Sequence, residues 1–156
     1  MKRVQISIIL SILFLGVLHT SAKNITVDEL NKWVVVAKAY AIESEKYAAK
    51  EFRSIYKLAT GVSLKTVDAV PAKGGYILIG QTDNVKTDDL GEEGLRIVID
   101  PKHIIITGGR PRGVLYGVYE FFEKYLDVQF LSDEHTYIPE NIATVKIPCE
   151  TYSYVT

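Results

Sequence analysis

The chain has 156 residues, 47% of them hydrophobic and 24% charged, with a formal net charge of −1. This is the composition of an ordinary globular protein, which excludes collagenous or disordered chains, and the near-neutral charge excludes a general nucleic-acid binder. Cys149 is the only cysteine, so no intramolecular disulfide can form.

The N-terminal stretch reads as a targeting segment. Met1-Lys2-Arg3 is a short basic start, Val4 to Leu18 is apolar with few interruptions, and Thr20-Ser21-Ala22 sets small residues where a signal peptidase reads. The apolar run is shorter than the ~20 residues that span a bilayer. Cleavage after Ala22 is therefore expected, with export to the periplasm, cell surface or medium and no membrane association afterwards. Without Lys2 and Arg3, 16 basic residues face 19 acidic ones, a formal charge of −3. About 134 residues remain, enough for one compact domain but too few for a (β/α)8 barrel of roughly 200 or more. Asn24-Ile25-Thr26 matches the N-glycosylation acceptor, which matters only in a eukaryotic secretory host.

Trp33 to Ala37 is a continuous β-rich apolar run, the pattern of a strand covered on both faces. A helix follows, with Ser44 as its expected N-cap, Glu45 and Glu51 in its first half, Lys57 near its end and Gly61 as the stop. Ala48, Phe52, Ile55 and Ala59 share one face of it, and Lys46, Lys50, Arg53, Ser54 and Lys57 the other. Strands are expected at about Leu64 to Val67 and at Tyr76 to Ile79, and the polar stretch from Gln81 to Glu93 as a long surface loop. "LRIVIDPKHIIITGG", Leu95 to Gly109, holds two apolar β-branched runs joined by Asp100-Pro101-Lys102, which predicts a tight antiparallel hairpin. A second helix is predicted over Gly113 to Leu126, then short β-prone pieces around Val128 to Leu131 and Thr144 to Ile147. The order β-α-β-β-β-α implies an α+β fold, a mixed sheet with two main helices packed on it.

The glycine-rich turn Gly108-Gly109-Arg110-Pro111-Arg112-Gly113 resembles a phosphate cradle but lacks its parts. The glycine spacing is not that of a dinucleotide fingerprint, and Gly113-Val114-Leu115 stands where a Walker loop needs Gly-Lys-Ser/Thr. No nucleotide or other cofactor is expected. Arg110 and Arg112 lie beside a helix N-terminus, where free N–H groups favour anions. They either receive a carboxylate, from a uronic acid or a partner domain, or act as surface charges that are solvated or paired with nearby acids. In the helix itself Val114, Leu115, Val118, Tyr119, Phe121, Phe122, Tyr125 and Leu126 cover an arc wider than one sheet contact needs. Such a helix is buried on two sides, against the first helix and the sheet together or against a second domain. Gly113, Tyr116, Gly117, Tyr119 and Phe122 are its candidate docking and packing residues, with Gly117 permitting close approach.

The segment "RGVLYGVYEFFEKYLDVQFL" resembles the end of the small N-terminal α+β domain of secreted glycoside hydrolases of the α-glucuronidase-like and β-N-acetylhexosaminidase-like kinds. "SEKYAAKEFRSIYKLATGVSL" is similar to that domain's first helix, "YILIG" to its next strand, and "IPE" at Ile138 to Glu140 to its exit. Asp127-Val128-Gln129-Phe130 departs from the usual Gly-Val-Arg-Trp. The resemblance implies an accessory domain over residues 23–148 whose partner is a (β/α)8 catalytic barrel, in the same or an adjacent chain, and whose substrate is a polysaccharide. Residues 149–156 would begin the linker to that barrel, and the chain would then be a fragment or a truncated product. An apolar patch near the closing helix and the Tyr152 to Val155 tail is expected to be exposed in that case.

No catalytic residue transfers through the resemblance. Glycosidase chemistry needs two carboxyl groups flanking the bond, and the acids here fall mainly in solvated patterns such as Asp88-Asp89 and Glu92-Glu93. Asp133-Glu134-His135 reads as a polar loop, since neither His103 nor His135 sits at a metal-ligand spacing, so no metal is expected. A different class of function, a stand-alone exported module that binds a glycan or a protein, would use exposed rings among the ten tyrosines.

Overall fold

The computed structural model describes residues 23–132 and 135–156. Residues 1–22, read above as a targeting segment, and Asp133-Glu134 lie outside the described residues.

The chain starts with strand β1 (Asn24–Thr26) and the one-turn helix α1 (Val27–Leu30). Thr26 and Glu29 close a capping box, with the Thr26 N–H donating to Glu29 Oε2 at 2.7 Å and the Glu29 N–H to Thr26 Oγ1 at 3.3 Å. Sequence reading passed over this pair, although Thr-x-x-Glu is its usual signature. Strand β2 is shorter than the apolar run suggested, Val34–Val36.

Helix α2 (Glu43–Thr60) begins two residues earlier than expected. Ser44 is not its cap: Ile42 precedes the helix, and the Ser44 hydroxyl is buried without a partner among the described residues. Glu45 takes over the capping function, its Oε2 accepting from the Ile42 N–H at 3.3 Å while the carboxylate faces the positive end of the helix dipole. Ala48, Phe52, Ile55 and Ala59 are buried as their spacing predicts, joined by Ala49 and Tyr56. Gly61 ends the helix at φ 77°, where a side chain would be strained.

The main sheet comprises β2, β3 (Lys65–Val67), β4 (Tyr76–Ile79), β5 (Leu95–Asp100), β6 (His103–Gly108) and β10 (Thr151–Tyr154), in the order β10-β5-β6-β4-β2-β3. β3, β2, β4 and β6 run parallel, and β5 lies antiparallel between β6 and β10. The β5–β6 hairpin forms as expected, with a connection one residue shorter than the Asp100-Pro101-Lys102 turn read from the sequence: Asp100 is the last residue of β5 and pairs with His103. Helices α2 and α3 (Gly113–Leu126) belong to one large core with Val35, Ile77, Ile97, Ile104 and Ile106. Alternation sends Val36, Leu78 and Ile105 to a smaller cluster on the other face. The α+β architecture with a mixed sheet and two main helices thus holds.

Two small pairs complete the fold: β1 with β9 (Lys146–Pro148), and β7 (Gln129–Ser132) with β8 (His135–Tyr137). The tail departs most from expectation. Within residues 149–156, read as the start of a linker, Thr151–Tyr154 is the edge strand of the main sheet, Thr151 opposite Val98 and Tyr154 opposite Leu95. Without it β5 would present a row of unpaired backbone groups. The loop from Gln81 to Glu93 lies on the surface but is pinned: Leu90 is fully buried, and Arg96 donates from Nη1 to the Lys86 carbonyl at 2.6 Å and from Nη2 to Asp89 at 2.8 Å.

Candidate functional site

The turn that leads into α3 is a crossing of backbones. The Gly109 N–H donates to the Gly94 carbonyl and the Gly113 N–H to the Gly109 carbonyl, both at 2.9 Å. A Cβ on Gly109 would overlap the Gly91 carbonyl, and one on Gly113 the Gly94 carbonyl. Gly113 and Gly117 therefore lie on the buried side of α3, not with its polar residues. A Cβ on Gly117 would stand 2.8 Å from Ile106 Cγ2. These glycines bring loop, strand and helix together.

Both arginines of the turn are paired with acids. Arg110 Nε donates to Glu45 Oε1 at 3.1 Å, joining the α3 entrance to the first turn of α2. The Glu45 side chain is 3% exposed and that of Arg110 44%. Arg112 Nη1 lies 3.3 Å from Glu93 Oε1, an exposed pair. The anion held at this helix entrance is thus the protein's own Glu45, a partner that sequence reading missed because it lies 65 residues away.

The wide apolar arc of α3 is satisfied inside the domain. Phe52 of α2 packs its ring 5.5 Å from that of Phe121 and 5.0 Å from that of Phe122, and Phe122 is fully buried. Phe122 is accordingly a core residue with no surface to offer a partner. Of the five candidates on α3, only Tyr116 and Tyr119 reach the surface.

These two tyrosines line one wall of a groove of about 400 Å3, with Tyr152 and Tyr154 of β10 opposite and the carboxylates of Glu93, Glu120 and Glu123 around it. The groove exists because β10 folds back beside α3, which the linker reading of the tail could not anticipate. Several rings are held in place. The Tyr119 hydroxyl donates to Glu51 at 3.1 Å, and burial together with that carboxylate pushes its pKa up to about 12. Tyr152 is raised first by its hydrogen bond to Glu120, and Lys124 Nζ sits 4.4 Å from its ring centroid. Beside the groove, Tyr125 donates to Glu150 at 2.9 Å; burial first, and then this hydrogen bond, raise its pKa. Tyr116 and Tyr154 are 38% and 55% exposed, and Val155 57%. The site offers apolar ring faces beside hydrogen-bond acceptors, the lining that suits a partner surface carrying donors or the hydroxyls of a saccharide.

Among the described residues no group of three or more His, Cys, Asp or Glu is placed to hold a metal ion. His135 faces the Ser132 hydroxyl at 3.3 Å, while the Asp133-Glu134 part of that motif lies outside the described residues. Burial pushes the Cys149 thiol up, away from a reactive thiolate. No helix among the described residues is long and apolar enough to cross a membrane.

The fold has solved counterparts. A mutant Streptomyces plicatus beta-hexosaminidase in complex with product (GlcNAc) superposes with a TM-score of 0.55 at 13% identity, over 86% of this chain and 23% of that one. The GH20 beta-N-acetylhexosaminidase from Streptomyces coelicolor A3(2) gives 0.56 at 14% identity, over 86% and 24%. The chain thus spans about a quarter of the length of these structures. Comparison with curated proteins returned no significant match. The family model described as "Glycosyl hydrolase family 20, domain 2" matches residues 17–123, and the chain belongs to that family.

Proposed function

We propose that this chain is the non-catalytic N-terminal accessory domain of an exported, carbohydrate-degrading glycoside hydrolase, supporting a (β/α)8 barrel that docks on the α3/β10 groove. The observation that carries this reading is the groove itself. It gathers exposed Tyr116 and Tyr154 beside acidic acceptors at the one face where the closing helix meets the edge of the sheet. The family supports a hydrolase context, and the length of its solved counterparts leaves room for a much larger catalytic part. Export rests on the basic, apolar and small-residue order of residues 1–22, and a polysaccharide as the eventual substrate on the family.

Reading the gene beyond codon 156, and any adjacent reading frame, tests the partner. A barrel-length sequence is expected there, and when both parts are co-expressed Tyr116→Arg with Tyr154→Arg should abolish their co-purification. Absence of any encoded barrel, together with a monomeric and soluble 156-residue product, overturns the proposal.

The second reading is a stand-alone glycan- or protein-binding module, favoured by the four tyrosines that line the groove. It requires saturable saccharide binding by the monomeric chain, lost on Tyr116→Ala and Tyr154→Ala.

A further inference from the structure

At the opposite end of the sheet from the α3 entrance, a second groove of about 470 Å3 opens between the turn before β4 and the β5–β6 turn. Trp33, Ala72, Lys73, Gly75, Pro101 and Lys102 line it. Its shape depends on Gly75, because the Trp33 indole lies directly against that α-carbon and a Cβ there would overlap the ring.

The three lining residues with polar side chains, Trp33, Lys73 and Lys102, all carry donors. Trp33 is only 8% exposed, yet its Nε1–H has no acceptor among the described residues, and that nitrogen is not sealed from solvent. Buried indole N–H groups usually find a partner within the protein. Lys73 and Lys102 are exposed, and neither ammonium has an ion pair or hydrogen bond among the described residues. The nearest acid on the same turn, Asp100, is occupied locally: its Oδ1 accepts from the Lys102 backbone N–H at 3.3 Å and lies 3.9 Å from His103 Nδ1. The arginines at the α3 entrance already have carboxylate partners, whereas these three donors have none.

We propose that this groove binds an acidic pyranose, a sugar bearing a carboxylate or a sulfate. Its anion would be held by Lys73, Lys102 and the Trp33 indole N–H, and its carbon skeleton would lie against Pro101 and Ala72. Charge complementarity selects the anion, and a volume of about 470 Å3 admits a sugar of one or two rings. The choice of a saccharide as carrier rests on the family reading, while the anion does not. Failure of this site would leave barrel docking at the α3/β10 groove untouched, since the two grooves share no residue.

Trp33 is the only tryptophan of the chain, so its fluorescence and its indole N–H resonance report on this groove alone. Titrating the full chain with methyl glucuronide and with glucose 6-sulfate should give a saturable change in both signals, weakened by salt. Methyl glucoside, inorganic sulfate and acetate should bind at least roughly tenfold more weakly. Lys73→Ala and Lys102→Ala, both at exposed positions, should each raise the Kd by roughly fivefold or more, while Lys50→Ala on the outer face of α2 should not. The proposal is overturned if the neutral glucoside or the simple anions bind as well as the acidic sugars, if the Trp33 signals do not move, or if the lysine variants bind like the parent.

Discussion

At the residue scale, the pair Glu45–Arg110 decides how the two helices are joined. Glu45 is a buried carboxylate that sees one guanidinium and one backbone N–H. Removing the cation leaves it uncompensated. Arg110→Ala should therefore lower stability by roughly 2 kcal/mol, less than the ~3–5 kcal/mol of a fully buried pair because solvent screens the half-exposed arginine. Glu45→Gln with Arg110→Ala should recover part of that loss in a denaturant double-mutant cycle. Arg112→Ala, whose pair with Glu93 is exposed, should leave the melting temperature unchanged. The glycines should rank by what blocks them. Gly117→Ala improves helix propensity by about 1 kcal/mol but presses on Ile106, a clash of about 1–3 kcal/mol, so a small net loss is expected. Gly109→Ala meets the Gly91 backbone, which cannot rotate away, and should destabilise more. Urea unfolding of both variants gives the comparison.

At the element scale, β10 and α3 depend on each other through their shared tyrosines. Ending the chain at Glu150 would uncover the β5 edge and remove Tyr152 and Tyr154 from the groove. Such a chain should lose cooperative unfolding and aggregate, as seen by light scattering. The tyrosines also set an alkaline limit. Burial pushes the Tyr119 pKa up to about 12 and moves those of Tyr56 and Tyr125 upward as well, all from an ordinary value of about 10. Because the unfolded chain loses these protons first, their stabilising contribution is complete below pH 10 and is lost as the pH rises towards 12. Stability measured between pH 9 and 12 should fall, and Tyr119→Phe should flatten part of that fall. A parent protein as pH-sensitive as Tyr119→Phe over this range would show that the hydroxyl contributes nothing.

At the scale of the whole molecule, the groove with exposed Tyr116, Tyr154 and Val155 predicts concentration-dependent association of the isolated chain. Sedimentation velocity should show it, and Tyr116→Ser with Tyr154→Ser should restore the monomer. Much of this molecule was legible from order and period alone. The apolar faces of α2 and α3, the β5–β6 hairpin and the Tyr76–Ile79 strand depend on neighbours a few residues away, and they formed where the local pattern put them. The Thr26-Glu29 capping box and the alternation of Thr151 to Tyr154 were equally local and equally readable, although neither was read. By itself, then, the sequence determined the α+β class and the two main helices, because those follow from residue spacing. Only the tertiary structure decided which acid neutralises Arg110, that Phe122 faces Phe52, that the tail is an edge strand, and that Trp33, Lys73 and Lys102 line one groove. Each of those joins residues far apart in the chain, brought together by burial of the shared core and by pairing of open strand edges, and no local pattern encodes such partners.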